Sequence, residues 1–157
     1  MTAVPGGGRV LLRGVARTIE VGGFDVIVHA DTADTDGAFS LIETAESAIG
    51  LGPPLHVHRD AAESFYVIAG RYVMHLDGRD FECPAGSFVY VPIGMPHTFR
   101  TDAVGSRKLN LYTPGAMVGY FDDLAAALRD GVDEAGLDTI AGRHRMEVVG
   151  AVPEGYL

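Results

Sequence analysis

From residue 9 to about residue 100, apolar residues come in short runs, many alternating with polar ones, and Gly, Pro or charged residues break them every few positions. Alternation with period two puts successive side chains on opposite faces of an extended chain, so each run predicts a strand. Residues 10–12, 16–21, 24–29 and 39–45 are the first of these, with a polar loop over 31–37. Residues 51–55 carry Gly-Pro-Pro and cannot form a regular central strand, because proline lacks the N–H a ladder needs. Strands follow at 56–58, 63–69, 71–76, 79–83, 87–91, 97–101 and 107–113, with Gly70, Asp77-Gly78, 84–86 and 92–96 as turns. Short strands so closely spaced predict an all-β sandwich or barrel.

After Pro114-Gly115 the period changes. Met117, Tyr120, Phe121, Leu124 and Leu128 recur at helical spacing, and Gly131 suits the left-handed residue that ends a helix. A second, weaker helical pattern covers 137–144, and 146–149 is apolar enough to return as a strand or a pinned tail. The expected organisation is a flexible stretch over 1–8, a β-barrel over 9–114, and C-terminal helices and tail over 115–157 packed on it.

Composition narrows the function classes. A chain of 157 residues with 47% apolar content can fill the core of one domain. The net charge of −9 offers no basic stripe for nucleic acid, and an anionic membrane surface repels it. One cysteine, Cys83, excludes an intrachain disulfide and is compatible with a reducing compartment. No leader pattern opens the chain and no run approaches a membrane span, so a cytoplasmic location is the expectation.

The chemistry sits in His56, His58, Glu63 and His97. His56 and His58 alternate and share a strand face, roughly 7 Å apart along the chain. Glu63 lies at an odd offset from His58, so Arg59-Asp60-Ala61-Ala62 has to bend before Glu63 opens a new strand. His97 follows the turn over 92–96, which suits delivery of a fourth ligand from another strand. Three imidazoles and a carboxylate without a thiolate suit one divalent ion of Fe, Mn, Ni, Cu, Co or Zn. An octahedral ion keeps two positions for water, substrate or O₂. A tetrahedral zinc would be closed and structural.

These residues resemble the cupin superfamily. Its first motif is met by Gly50, His56, His58, Glu63 and Gly70, and its second by Gly86, Pro92, Gly94 and His97, with Thr101 where Asn is usual. That last position is not a ligand in the family, so the departure leaves the site intact. The resemblance implies a cupin fold, a double-stranded β-helix or jelly-roll barrel, here with a short C-terminal helical appendage. The wording over 63–70 and 91–99 is similar to small bacterial cupins grouped as quercetin-dioxygenase-like. It further implies a homodimer and a metal-dependent oxidoreductase in which Glu63 is both ligand and catalytic base.

Parity with Glu63 and His97 puts Phe65, Val67 and Phe99 inside, and Met95, Ile42, Tyr72 and Met74 complete the expected substrate pocket. An apolar, aromatic pocket over a metal suits a small substrate with an enol or hydroxyl oxygen. The bland alternative for each is barrel core. His29, His75 and His144, Glu43, Cys83, Asp122, Asp123 and Asp130 are read as structural or solvated groups. Three functions stay open: a dioxygenase, a non-redox isomerase, cyclase or lyase, and a non-catalytic small-molecule-binding module.

Overall fold

The computed structural model describes residues 2–3, 7–46 and 48–151, and the expectations for residues 1, 4–6, 47 and 152–157 lie outside the described residues. Within the stretch expected to be flexible, β1 (Thr2–Ala3) pairs with β2 (Arg9–Val10) in a two-residue ribbon. The strand expected at 10–12 is thus shorter and starts one residue earlier.

The barrel strands are β3 (Arg17–Glu20), β4 (Phe24–Ala30), β5 (Ser40–Glu46), β6 (His56–His58), β7 (Ala62–Ala69), β8 (Arg71–Leu76), β9 (Arg79–Pro84), β10 (Phe88–Val91), β11 (His97–Thr101) and β12 (Arg107–Thr113). A short strand, β13 (Met146–Val148), follows the helices. One sheet has six strands in the order β10-β7-β12-β5-β4-β3, and the other has five in the order β13-β6-β11-β8-β9. All pairings are antiparallel. The polar loop over 31–37 contains a 3-10 turn, Thr32–Thr35, capped by Asp31 and Asp34.

Helix α1 (Val118–Asp130) ends at Gly131, whose φ of 80° is the left-handed value that spares glycine any side-chain clash. Helix α2 (Glu134–Arg143) starts at Asp133, whose side chain accepts from the Gly136 N–H at 2.9 Å. Val118, Tyr120, Phe121 and Leu124 face inward on α1, and Leu137, Ile140 and Ala141 do so on α2. Arg17 of β3 anchors α1 by an ion pair to Asp122 at 2.6 Å, and Phe24 of β4 meets Phe121 edge-on at 6.3 Å. No helix among the described residues is long and apolar enough to cross a membrane.

Two apolar clusters make the core. One joins β3, β4 and β5 to the helices through residues such as Ile19, Val26, Leu124 and Ile140. The other fills the barrel between the sheets with Phe65, Val67, Tyr72, Met74, Val89 and Val91. The functional residues lie where the two meet: Tyr112 of the first packs edge-on to His58 at 5.6 Å, and Phe65 of the second to His97 at 6.3 Å.

Candidate metal centre

His56 and His58 come from one face of β6, His97 opens β11, and Glu63 lies in β7 of the opposite sheet. The odd spacing between His58 and Glu63 therefore carries the chain from one sheet to the other. His97 is paired directly with His56 in the ladder. The turn before His97 is tied to β6 by the Gly94 N–H donating to the His58 carbonyl at 2.9 Å. One ligand atom from each of the four side chains lies within 4.8 Å of every other, and all four residues are buried.

Backbone carbonyls orient two of the rings. A carbonyl oxygen only accepts, so His56 Nδ1 donates to Pro54 O at 2.8 Å and His97 Nδ1 donates to Met95 O at 2.9 Å. Each neutral ring then presents the Nε2 lone pair to the centre. Glu63 Oε2 lies 2.9 Å from His58 Nε2 and 3.0 Å from His97 Nε2. Glu63 Oε1 accepts from Asn110 Nδ2 at 2.8 Å.

Burial alone raises the Glu63 carboxyl, but hydrogen bonds from His58 and His97 and their charge reverse this and hold it well below the usual range. Burial, then the proximity of His97 and His58, pushes His56 down to about 3. For His97, burial lowers the pKa but the bond to Glu63 outweighs it, so the net shift is upward. Burial first, and then the charge of Glu63, pushes the Tyr112 phenol well above its ordinary value, so Tyr112 keeps its proton.

This donor set fits a divalent cation. Once Nδ1 of His97 has given its hydrogen to Met95, a neutral ring sets an Nε2 lone pair against a carboxylate oxygen at 3.0 Å. Two acceptors at that distance require a positive charge between them, either a proton or a metal ion. Imidazole nitrogen and carboxylate oxygen suit the borderline divalent metals named above.

A cavity partly open to solvent leads to His56, His58 and Glu63. Its walls correct the expected pocket. Phe99 lines it, but Phe65, Val67, Ile42, Tyr72, Met74 and Met95 do not. Phe65, Val67, Tyr72 and Met74 point inward as expected, yet they pack into the solid part of the barrel, with Met95 against them, and Ile42 belongs to the helix-side core. The walls are instead Phe24, Leu51, Met117, Tyr120, Phe121 and Met146, so the helical appendage closes the mouth.

A polar row that no motif announced runs along β12, and Asn110 and Tyr112 of it line the cavity. Lys108, Asn110 and Tyr112 alternate on β12 and all point in, while Leu109 and Leu111 are only half-buried. Glu46 of β5 lines the far side and accepts from Lys108 Nζ at 2.5 Å, Thr44 Oγ1 at 2.8 Å and the Tyr72 hydroxyl. Lys108 is fully buried, with its ammonium 3.7 Å from the Phe99 ring centroid, and burial lowers its pKa against the pull of Glu46.

The loop before β6 is laced to β11. Gly50 N–H donates to Thr101 O and Thr101 N–H to Leu51 O, both at 2.8 Å, and Thr101 Oγ1 donates to Ala48 O at 2.6 Å. Thr101 thus clamps this loop and touches no metal-site side chain in these bonds. Gly52 approaches β11 so closely that a Cβ would sit 1.7 Å from the Phe99 carbonyl oxygen.

The remaining candidates are structural. Glu43, expected on the surface, is buried, because His29 at 3.2 Å and Arg107 satisfy its carboxylate on the outer side of β5. His75 pairs with Asp80 at 2.6 Å, and His144 with Asp123 at 2.9 Å. Cys83 is buried in the barrel core and its thiol is pushed up by that burial, so it is no nucleophile.

Fold and site together define a two-sheet β-barrel with a candidate four-residue metal centre. Residues 46–107 match the family model for the Cupin domain. The chain is 29% identical over 97 residues to quercetin 2,3-dioxygenase of Bacillus subtilis (strain 168), covering 62% of this chain and 28% of that protein. It is 34% identical over 83 residues to the polyketide synthase CurC of Streptomyces cyaneus, covering 49% of this chain and 53% of that one. The chain thus spans about half or less of these curated relatives. KdgF from Halomonas sp. superposes with a TM-score of 0.61 at 18% identity, over 68% of this chain and 94% of that one, a likeness of fold alone. The polyketide cyclase RemF from Streptomyces resistomycificus does so with a TM-score of 0.58 at 25% identity, over 68% of this chain and 79% of that one. Residues 46–107 thus match the Cupin domain, and the fold is that of the cupins.

Proposed function

We propose that this cupin is a metal-dependent oxidoreductase, a dioxygenase acting on a small aromatic or otherwise apolar substrate that carries an enol or hydroxyl group. The observation that carries the reading is the convergence of His56, His58, Glu63 and His97 at the end of an apolar cavity. These four residues would hold one divalent ion. When bound, the ion supplies Lewis acidity and a template on which oxygen ligands meet. Glu63 stays ionised, the form that accepts a substrate hydroxyl proton, and Asn110 Nδ2 fixes its orientation. Phe99, Met117 and Phe121 keep water from the reacting end. The similarity to quercetin 2,3-dioxygenase supports the oxidative chemistry. Oxygen uptake by the metal-loaded protein with a panel of flavonols, diketones and catechols is the test, and no uptake with any of them overturns the reading.

A second reading, a non-redox cyclase or lyase at the same centre, is favoured by the similarity to the polyketide cyclase RemF and to CurC. Turnover that continues without oxygen selects it over the first.

A further inference from the structure

We infer that the occupant of the cavity has two polar functions: the oxygen that meets the metal centre, and a second hydroxyl or N–H that donates to Oδ1 of Asn110. The inference rests on the metal-centre reading and adds to it the hydrogen-bonding character of the substrate.

The orientation of the Asn110 amide is forced. Glu63 Oε1 is a carboxylate oxygen and only accepts, so Nδ2 faces it at 2.8 Å, and a flipped amide would set oxygen against oxygen. Oδ1 is therefore the atom turned away from Glu63. Asn110 is 2% exposed and lines the cavity, yet Oδ1 meets no protein donor. Among the described residues it is the one buried side-chain oxygen or nitrogen left in that condition. Buried polar atoms are nearly always paired, so an orphan in a cavity wall marks where a ligand bonds.

The neighbours do not serve Oδ1. The Tyr112 hydroxyl sits near Glu63 and the Asn110 amide, yet it makes no hydrogen bond to Oδ1. Lys108 is in any case committed to Glu46 and Thr44, with its charge over the Phe99 ring. Asn110 belongs to the wall that Phe99 and Phe121 also line. A flat ring with one oxygen at the metal and a second donor on its rim satisfies both requirements. The chemical class is a phenol with a further hydroxyl, rather than a simple phenol or a carbonyl compound whose oxygens only accept. Because the same amide holds Glu63, Asn110 is both a specificity-determining residue and a positioning residue.

The test is binding to the full-length protein loaded with Zn²⁺, which needs no turnover. Titration calorimetry compares the three dihydroxybenzenes with the three fluorophenols, since fluorine fills nearly the same space and donates nothing. For at least one isomer, the hydroxyl compound binds about tenfold more tightly than its fluorine partner. In Asn110→Leu that preference falls to near unity. A preference that persists undiminished in the variant overturns the inference. So does equal binding of every pair by the unaltered protein, which would make Oδ1 a seat for water only. If Asn110→Leu fails to fold or to hold zinc, the ratios in the unaltered protein decide alone. Unaltered protein that takes up zinc but shows no preference overturns this inference and leaves the metal centre standing, whereas failure to take up zinc overturns both.

Discussion

Nε2 of His97 faces Oε2 of Glu63 at 3.0 Å while the other nitrogen of the same ring donates to the Met95 carbonyl. Without a metal ion, that geometry traps a proton on His97, whose pKa lies above the ordinary 6.5. His56 is pushed down to about 3 and is neutral over the whole range between. A cation entering at a pH between about 3 and 6.5 thus displaces a proton from His97 and none from His56. Affinity rises with pH across this window, about tenfold per unit for that one proton. Calorimetry in buffers of different ionisation enthalpy counts the protons released. His97→Ala is expected to lower the count by one and His56→Ala to leave it unchanged.

Alanine at His56, His58, Glu63 or His97 removes one of four converging donors. Outer partners of metal ligands alone account for about 10 to 100-fold in affinity, so each of these losses is expected to exceed about 100-fold. Ion retained after dialysis, measured by elemental analysis, checks this directly. At about one hundred times the dissociation constant, the ion adds about 2.7 kcal/mol to the stability of the unaltered protein, and the variants should forgo most of it at the same concentration.

Lys108 and Glu46 form a fully buried ion pair at 2.5 Å. Lys108→Met leaves the Glu46 carboxylate without its counter-charge and is expected to destabilise by about 3–5 kcal/mol. Adding Glu46→Leu removes the stranded charge, so the double variant should be more stable than the single one. Urea unfolding of both variants measures the coupling, and simple additivity would contradict the arrangement.

Gly52→Ala places a methyl 1.7 Å from the Phe99 carbonyl oxygen, a backbone atom that cannot swing aside. The loop must then part from β11. We expect a loss of about 3 kcal/mol, read from the shift in unfolding midpoint.

Much of the barrel was legible because alternation and Gly or Pro punctuation coincide. The runs at 56–58, 71–76, 97–101 and 107–113 are strands with those bounds. The metal-site residues were legible because His56 and His58 share parity and Glu63 breaks it, which is the signature of a chain crossing between sheets. The cavity wall was not. Parity says that Phe65 and Val67 point inward, but a barrel interior is partly solid, and pointing inward is not the same as facing the hollow part. On β12 the usual rule is inverted: Leu109 and Leu111 look like the buried face, yet Lys108, Asn110 and Tyr112 take it. Their partners, Glu46 and Glu63, lie 62 and 47 residues away, beyond what local pattern can report.

The stitching of residues 48–51 to Thr101 has an evolutionary corollary. These bonds tie the rim of the hollow to the strand that opens with His97, so a change in either reaches the candidate centre. Met117, the residue before α1, and Tyr120 and Phe121 of α1 line the same hollow, and that helix supplies none of the four converging side chains. Under the proposed function, a change of substrate would need only a rewritten overhang, with the candidate ligand set left untouched beneath it.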